Sequence, residues 1–408
     1  MQAIKLTIEG EYWDSHVYAG RLYLFTIDGA ITTVNWDSLI DGLEVREELR
    51  LAMRCAFSRS DYLYGQHWEP FFADQEVKSL IESKFTRLSE AIINVSPRAL
   101  APHIVSEQDN RLPFPHSDAR VYGKRFYVAS QLGVFDAGCS KGLTKGVSTR
   151  PKKRWDCPVL SLSTFSNTLA FAAGDEGLFE ARIGDTNWRY SNEIDDDEGI
   201  DDPKSLSPLP CESCEWAFHS VFASSHVNDG FMAAFRLNYE KSERSTTRTS
   251  TTLGTPRRTM PEREFKGIVD ASNIFHTRGY SWANHDKIYQ AADGRINARK
   301  YNPYAADPVD RFVSLGTLEL AAWKGDVVSA GVAVFGTIVE CDNAIVIMLS
   351  DGRNLTIDGE PVRWRVFPRS KHYENQLHII RDQALEIWSF NHDYFVDQTS
   401  KKSGVRPF

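Results

Sequence analysis

The chain has 408 residues and a mass of 46.2 kDa, enough for two ordinary domains or one large repeat fold. Hydrophobic residues make up 42% and aromatic residues 12%, with ten Trp, which excludes an extended disordered chain and suits a well-buried, β-rich core. The formal net charge of −8 argues for solubility and against a surface that coats nucleic acid along its whole extent.

In chain order, the first twenty residues carry Lys5, Glu9, Glu11 and Asp14 and no apolar segment, so no export signal is read. Met1–Gly10 is expected to supply a strand. The next stretch, Tyr12–Ile40, has a second copy: Asp14–Ile31 lies on Asp118–Phe135 without a gap. Asp14/Asp118, Val17/Val121, Tyr18/Tyr122, Arg21/Arg125, Tyr23/Tyr127 and Gly29/Gly133 are six identities in eighteen positions. Arg21–Asp28 is rich in strand formers, and Asp28-Gly29 supplies the positive φ of a tight hairpin. A second β-type run, Ala30–Trp36, follows, and Tyr18-Ala19-Gly20 reads as a further turn. The unit is therefore strand, turn, strand, turn, strand.

After Asp37 the period becomes helical. Leu39, Leu43, Val45, Leu49, Ala52, Met53, Ala56 and Phe57 form one segment. Val77, Leu80, Ile81, Phe85, Leu88 and Ile92 form the stripe of a second, with Asp74 as N-cap. This predicts a helical hairpin, 38–113, inserted in or after the first unit. Between the two segments lies an aromatic linker. Its Tyr62, Tyr64, Trp68, Phe71 and Phe72 are candidate partner-binding residues, since such side chains are enriched at interface hot spots. The alternative is that they pack within the insert. Four prolines between Asn94 and Pro115 suggest an extended return.

Further along, 141–154 is a basic run on a predicted loop, ending in Lys152, Lys153 and Arg154. Echoes of the unit follow at Leu169–Phe179 (turn Glu176-Gly177), Val221–Phe235 (Asn228-Asp229-Gly230), Ile288–Ile296 (Asp293-Gly294), Ala344–Leu355 (Asp351-Gly352) and Leu377–Phe390 (Asp382-Gln383). The apolar run Val327–Val339 is too short for a bilayer, which takes about 20 residues, and reads as a buried strand pair. An acidic block, Glu193–Asp202, lies between two echoes, and the Ser/Thr-rich segment 239–266, with Arg257 and Arg258, is expected to be a disordered loop. The tail Thr399–Phe408 is expected to fray.

These units resemble those of the β-propeller superfold. Trp36-Asp37 is similar to the dipeptide that ends a WD40 blade, although no unit carries a Gly-His pair. The likeness is to a divergent propeller and to no particular family. The fold class expected is mostly β: a six- or seven-bladed β-propeller over 1–408 with the α-helical insertion, its last blade closed by Met1–Gly10. A β-sandwich with a separate helical domain is the alternative.

Chemistry is harder to find. The acidic block fails EF-hand spacing, because Gly199 at the sixth position would put Ile194 where the first carboxylate belongs. Cys211 and Cys214 with His219 lack a fourth ligand for zinc, and no nucleophile-elbow or phosphate-loop motif is present. No catalytic residue, metal or cofactor is assigned. Asp326/Glu340 and Asp382/Glu386 are carboxylate pairs that a propeller hydrolase could use. The expected function is a non-catalytic scaffold or recognition subunit of a complex, binding a protein partner through rim loops and the insert. The alternative is a subunit that contacts nucleic acid or a nucleotide through the basic loops 141–154 and 244–266, by Lys152, Lys153, Arg154, Arg257 and Arg258. A cytoplasmic location is expected, with six scattered cysteines kept as thiols and no membrane association.

Overall fold

The structure is a computed structural model. It describes residues 2–391 apart from 65–66, 73, 110, 140–145, 184–202, 226–228, 239–261, 308, 320–325 and 350–352. Among the described residues twenty-nine strands fall into seven sheets, six of them four-stranded and strictly antiparallel. From Asp118–Tyr122 onward the first strand of each sheet lies beside the first strand of the next, and Arg363–Val366 lies beside Tyr12–Tyr18. These inner strands are Tyr12–Tyr18, Asp118–Tyr122, Ser161–Phe165, Ser213–Ala217, Tyr280–Asn284, Val327–Ala333 and Arg363–Val366, which define blades 1 to 7 around a central channel.

Each sheet is too small to bury its own faces, so the hydrophobic core is divided into wedges between neighbours. Tyr23 and Phe25 of blade 1 pack with Phe126 and Val128 of blade 2. Leu178 of blade 3 packs with Trp216 and Phe231 of blade 4. Trp282 and Tyr289 of blade 5 pack with Val339 and Val346 of blade 6.

The sequence repeat is a structural repeat. Asp14 stands opposite Phe25 and Asp118 opposite Ala129, and Tyr18/Arg21 and Tyr122/Arg125 close the corresponding turns. Blade 7 closes the ring as expected: Gln2–Glu9 pairs antiparallel with Ala384–Asn391 as its fourth strand. A fifth strand, Ile93–Val95 from the insert, pairs parallel with Gln2–Glu9 and covers the edge that closure would otherwise leave open.

The insert runs from 36 to 103, between the third strand (Ala30–Asn35) and fourth strand (Ile104–Asp109) of blade 1. The first predicted helix is two, α1 (Trp36–Gly42) and α2 (Arg50–Phe57), separated where Leu43 turns to extended backbone. Two short helices follow, α3 (Asp61–Tyr64) and α4 (Glu69–Phe72), then α5 (Gln75–Ser89). The Asp74 side chain caps α5 by accepting from the Glu76 and Val77 amides. Ile81, Phe85 and Leu88 pack onto Leu6, Ile8, Leu385 and Ile387 of blade 7. Ile92, expected on the same stripe, falls beyond the helix end and is 88% exposed, and Leu80 sits on the exposed flank.

One echo is out of phase. Asp351-Gly352 joins the third and fourth strands of blade 6, whereas the second-to-third hairpin turns at Asp342-Asn343. The Ser/Thr-rich segment also ends sooner than expected, because Glu262–Asp270 is the fourth strand of blade 4; 239–261 lies outside the described residues.

Candidate functional site

Strands alternate in direction within a blade, so first-to-second and third-to-fourth connections share one face of the ring. The two faces differ sharply. On the other face no connection exceeds nine residues. On the first face the third-to-fourth connections run 36–103, 139–151, 183–203, 239–261, 302–311 and 350–353 in blades 1 to 6. The first-to-second connections there are two-residue turns in six blades. Several take left-handed backbone at both positions, as in Ala19-Gly20, Gly123-Lys124 and Ser166-Asn167, which matches the strand twist. Blade 7 is the exception, with nine residues, 367–375.

That exceptional connection binds the insert. The His372 carbonyl accepts from the Ser60 amide at 3.0 Å, and its Nδ1 lies 2.7 Å from the Asp61 carboxylate. Asn375 Nδ2 donates to the Ala56 carbonyl at 3.0 Å, and Gln376 Nε2 to that of Phe57. At its other end, Arg369 reaches the inner strand of blade 3, where Nη1 donates to the Thr164 carbonyl and the guanidinium lies 5.0 Å from the centre of the Phe165 ring.

Below this mouth the channel is packed with charge. Arg363 and Arg365 are two apart on the blade 7 inner strand and so project to the same side. Arg365 donates through Nε and Nη2 to both oxygens of Asp14, at 2.7 and 2.6 Å, and through Nη2 to Asp118 at 3.2 Å. Arg363 reaches Asp14 at 3.4 Å, and His116 Nε2 lies 2.8 Å from it. Asp118 also accepts from the Leu162 amide of blade 3 at 2.9 Å. Nearer the mouth, Arg120 bridges Asp118 at 3.4 Å and Glu215 at 3.3 Å, and Ser163 donates to Glu215.

The two repeat-matched aspartates thus share one guanidinium. Burial would raise the Asp14 carboxyl, but Arg365 and Arg363, with the His116 hydrogen bond, hold it well below the usual range. Burial opposes ionisation of Asp118 too, and Arg120 with Arg365 overrides it. The imidazoles go the other way. Burial and Arg365 push His16 down to about 4, and burial with His16 pushes His378 down to about 3, so both are neutral at pH 7. Carboxylates pinned as anions serve poorly as general acids; this cluster ties blades 7, 1, 2 and 3 together.

The sequence-predicted residues divide. Trp68 is 44% exposed and Phe71 61%, with the Trp68 ring set edge-on against half-buried Tyr62 at 5.4 Å. Tyr64 ends α3 and Phe72 ends α4. The basic candidates do not form the expected loop. Lys152, Lys153 and Arg154 belong to the fourth strand of blade 2, Lys152–Trp155. Strand alternation turns Arg154 inward, where it shares the buried Asp136 with Arg125 at 2.9 and 2.7 Å, and Lys153 pairs with Asp156. Arg263, in the other basic run, pairs with Glu180 and lies 3.9 Å from the Phe235 ring centre. Arg257, Arg258 and the acidic block lie outside the described residues.

Cys211 and Cys214 are buried thiols, pushed up by burial, Cys211 to about 12, which disfavours the thiolate a metal requires. Among the described residues no three His, Cys, Asp or Glu side chains converge on a metal position. Glu340 accepts from Ser329 and Trp364, and Glu386 from Lys5 and Trp388. Sequence reasoning missed Arg363, Arg365, Arg369, His116 and His378. The available signal was an aspartate at the same position of two units, with no partner assigned to it.

Seven radial sheets, an N-terminal strand closing the last, and no recurring blade motif define a divergent, seven-bladed β-propeller. No family model matches the chain, and no curated protein matches it. Among similar solved structures is the Neurospora crassa Pan2 WD40 domain, 8% identical with a TM-score of 0.45 over 94% of this chain and 90% of that one. The computationally designed Ika8 protein is 8% identical with a TM-score of 0.45 over 96% and 100%. The Myceliophteria thermophila Cps50 (Swd1) β-propeller domain is 12% identical with a TM-score of 0.39 over 69% and 98%. No helix among the described residues is long and apolar enough to cross a membrane.

Proposed function

We propose that the protein is a recognition subunit whose insert-bearing face binds a protein partner in the cytoplasm. The observation that carries this reading is the asymmetry of the ring: the insert and the long connections all leave one face, and the insert carries exposed Trp68 and Phe71. A rigid scaffold that concentrates its variable segments on one side presents a binding surface, and aromatic anchors supply most of the energy at such surfaces. Six unpaired cysteines suit a reducing compartment. The strand position of Lys152–Arg154 and the buried pairing of Arg154 weigh against nucleic acid as the ligand.

The test is affinity purification of the full chain from its native lysate, beside a Trp68→Ala/Phe71→Ala variant. A stoichiometric partner that is retained by the wild type and lost by the variant, with an unchanged melting temperature, supports the reading. Equal retention by both proteins overturns it.

A further inference from the structure

Arg369 is the one arginine of the channel group without a carboxylate within ion-pair distance among the described residues. Arg120, Arg363 and Arg365 are matched to Asp14, Asp118 and Glu215, as the distances above show. Of the Arg369 guanidinium, Nη1 is held by the Thr164 carbonyl, and the Nε–Nη2 edge donates to none of the described residues. Solvent reaches this side chain, yet the surrounding channel wall desolvates its charge and lowers its pKa, with Glu215 opposing and Arg120 adding to the effect. His285, on the first-to-second turn of blade 5, also feels the Arg369 charge. The floor beneath is aromatic: Phe165 lies 5.7 Å from Trp216 and 5.5 Å from His219.

Resting on the partner-binding reading, we propose that Arg369 receives a carboxylate from the protein partner, an Asp or Glu side chain in an extended segment that enters the channel mouth. An open guanidinium edge has the spacing for bidentate carboxylate recognition, and a cation with no carboxylate at ion-pair distance among the described residues gains from such a pairing. The same nine-residue connection carries His372, which is fixed to Ser60 and Asp61 beside the Tyr62–Trp68 pair. One partner can therefore use the aromatic tip as its apolar anchor and Arg369 as its charged one.

Fluorescence anisotropy of the full chain with labelled hexaglutamate, hexaglutamine and oligothymidylate, at low salt, tests this. Hexaglutamate should bind and hexaglutamine should not. Arg369→Ala should weaken hexaglutamate binding at least tenfold, with Arg369→Lys between it and wild type. Arg278→Ala removes the same charge from an exposed position on the opposite face and should change nothing. Absence of hexaglutamate binding, an Arg369→Ala affinity within twofold of wild type, or an equal loss in Arg278→Ala would overturn the proposal. So would an oligothymidylate affinity that alone depends on Arg369. The Trp68→Ala/Phe71→Ala variant should still bind hexaglutamate, so failure here and failure of the partner reading are separate results.

Discussion

Replacing Arg365 by Met tests whether the channel cluster holds the ring together. The change keeps most of the side-chain volume and removes the charge, leaving Asp14 with Arg363 and His116, and Asp118 with Arg120. Removing one partner of a buried ion pair costs about 3–5 kcal/mol, because the charge left behind stays desolvated. With an unfolding entropy of about 2.1 cal/mol/K per residue, a chain of this length has roughly 0.9 kcal/mol/K, so the midpoint should fall by about 3–6 °C. The pH dependence carries the sharper signature. In the wild type both carboxyls are held down, so their contribution is present above about pH 4 and lost as pH falls through the folded values. Without Arg365 burial pushes them up, so the deficit relative to wild type should shrink between pH 7 and pH 4. Adding Asp14→Asn and Asp118→Asn should recover much of the loss at pH 7. Thermal melts of the three proteins across that range supply the data. A deficit independent of pH, or a triple variant no more stable than the single one, would refute the reasoning.

Three further outcomes are expected. His378, neutral when folded, binds its proton more readily when unfolded, so stability should fall from about pH 6.5 toward pH 4, and His378→Gln should flatten the melting profile in that window. Parallel profiles would contradict this. Arg154→Met should cost about 1–3 kcal/mol in urea titrations, because it removes a donor to buried Asp136, whereas Lys153→Ala should stay within about 1 kcal/mol. The reverse order would place these residues on a loop after all. Leu6→Ala, in the closing strand and fully buried, should cost about 2–5 kcal/mol by the same assay, and a neutral result would deny the closure its structural role.

The local features were legible in the sequence because their causes are local. Strand formers followed by Asp28-Gly29, and the same again at Gly133, state a hairpin, since positive φ at a tight turn is a property of a few adjacent residues. Asp74 caps α5 for the same reason. Where two connections use one turn chemistry, the signal became ambiguous, and Asp351-Gly352 was assigned to the wrong pair of strands of blade 6. Lys152–Arg154 looked like a solvated charge run because nothing nearby reveals Asp136, which waits on the neighbouring strand.

The functional face and the channel belong to the tertiary structure alone. Trp68 and Phe71 were visible as aromatics, but their exposure depends on which face of the insert meets blade 7. Asp14 meets Arg365 across 351 positions, and Arg369 meets Thr164 across 205. Sequence fixes the period of the strands and the geometry of their turns; only ring closure brings opposite ends of the chain to one axis, where buried charges must find their counterparts.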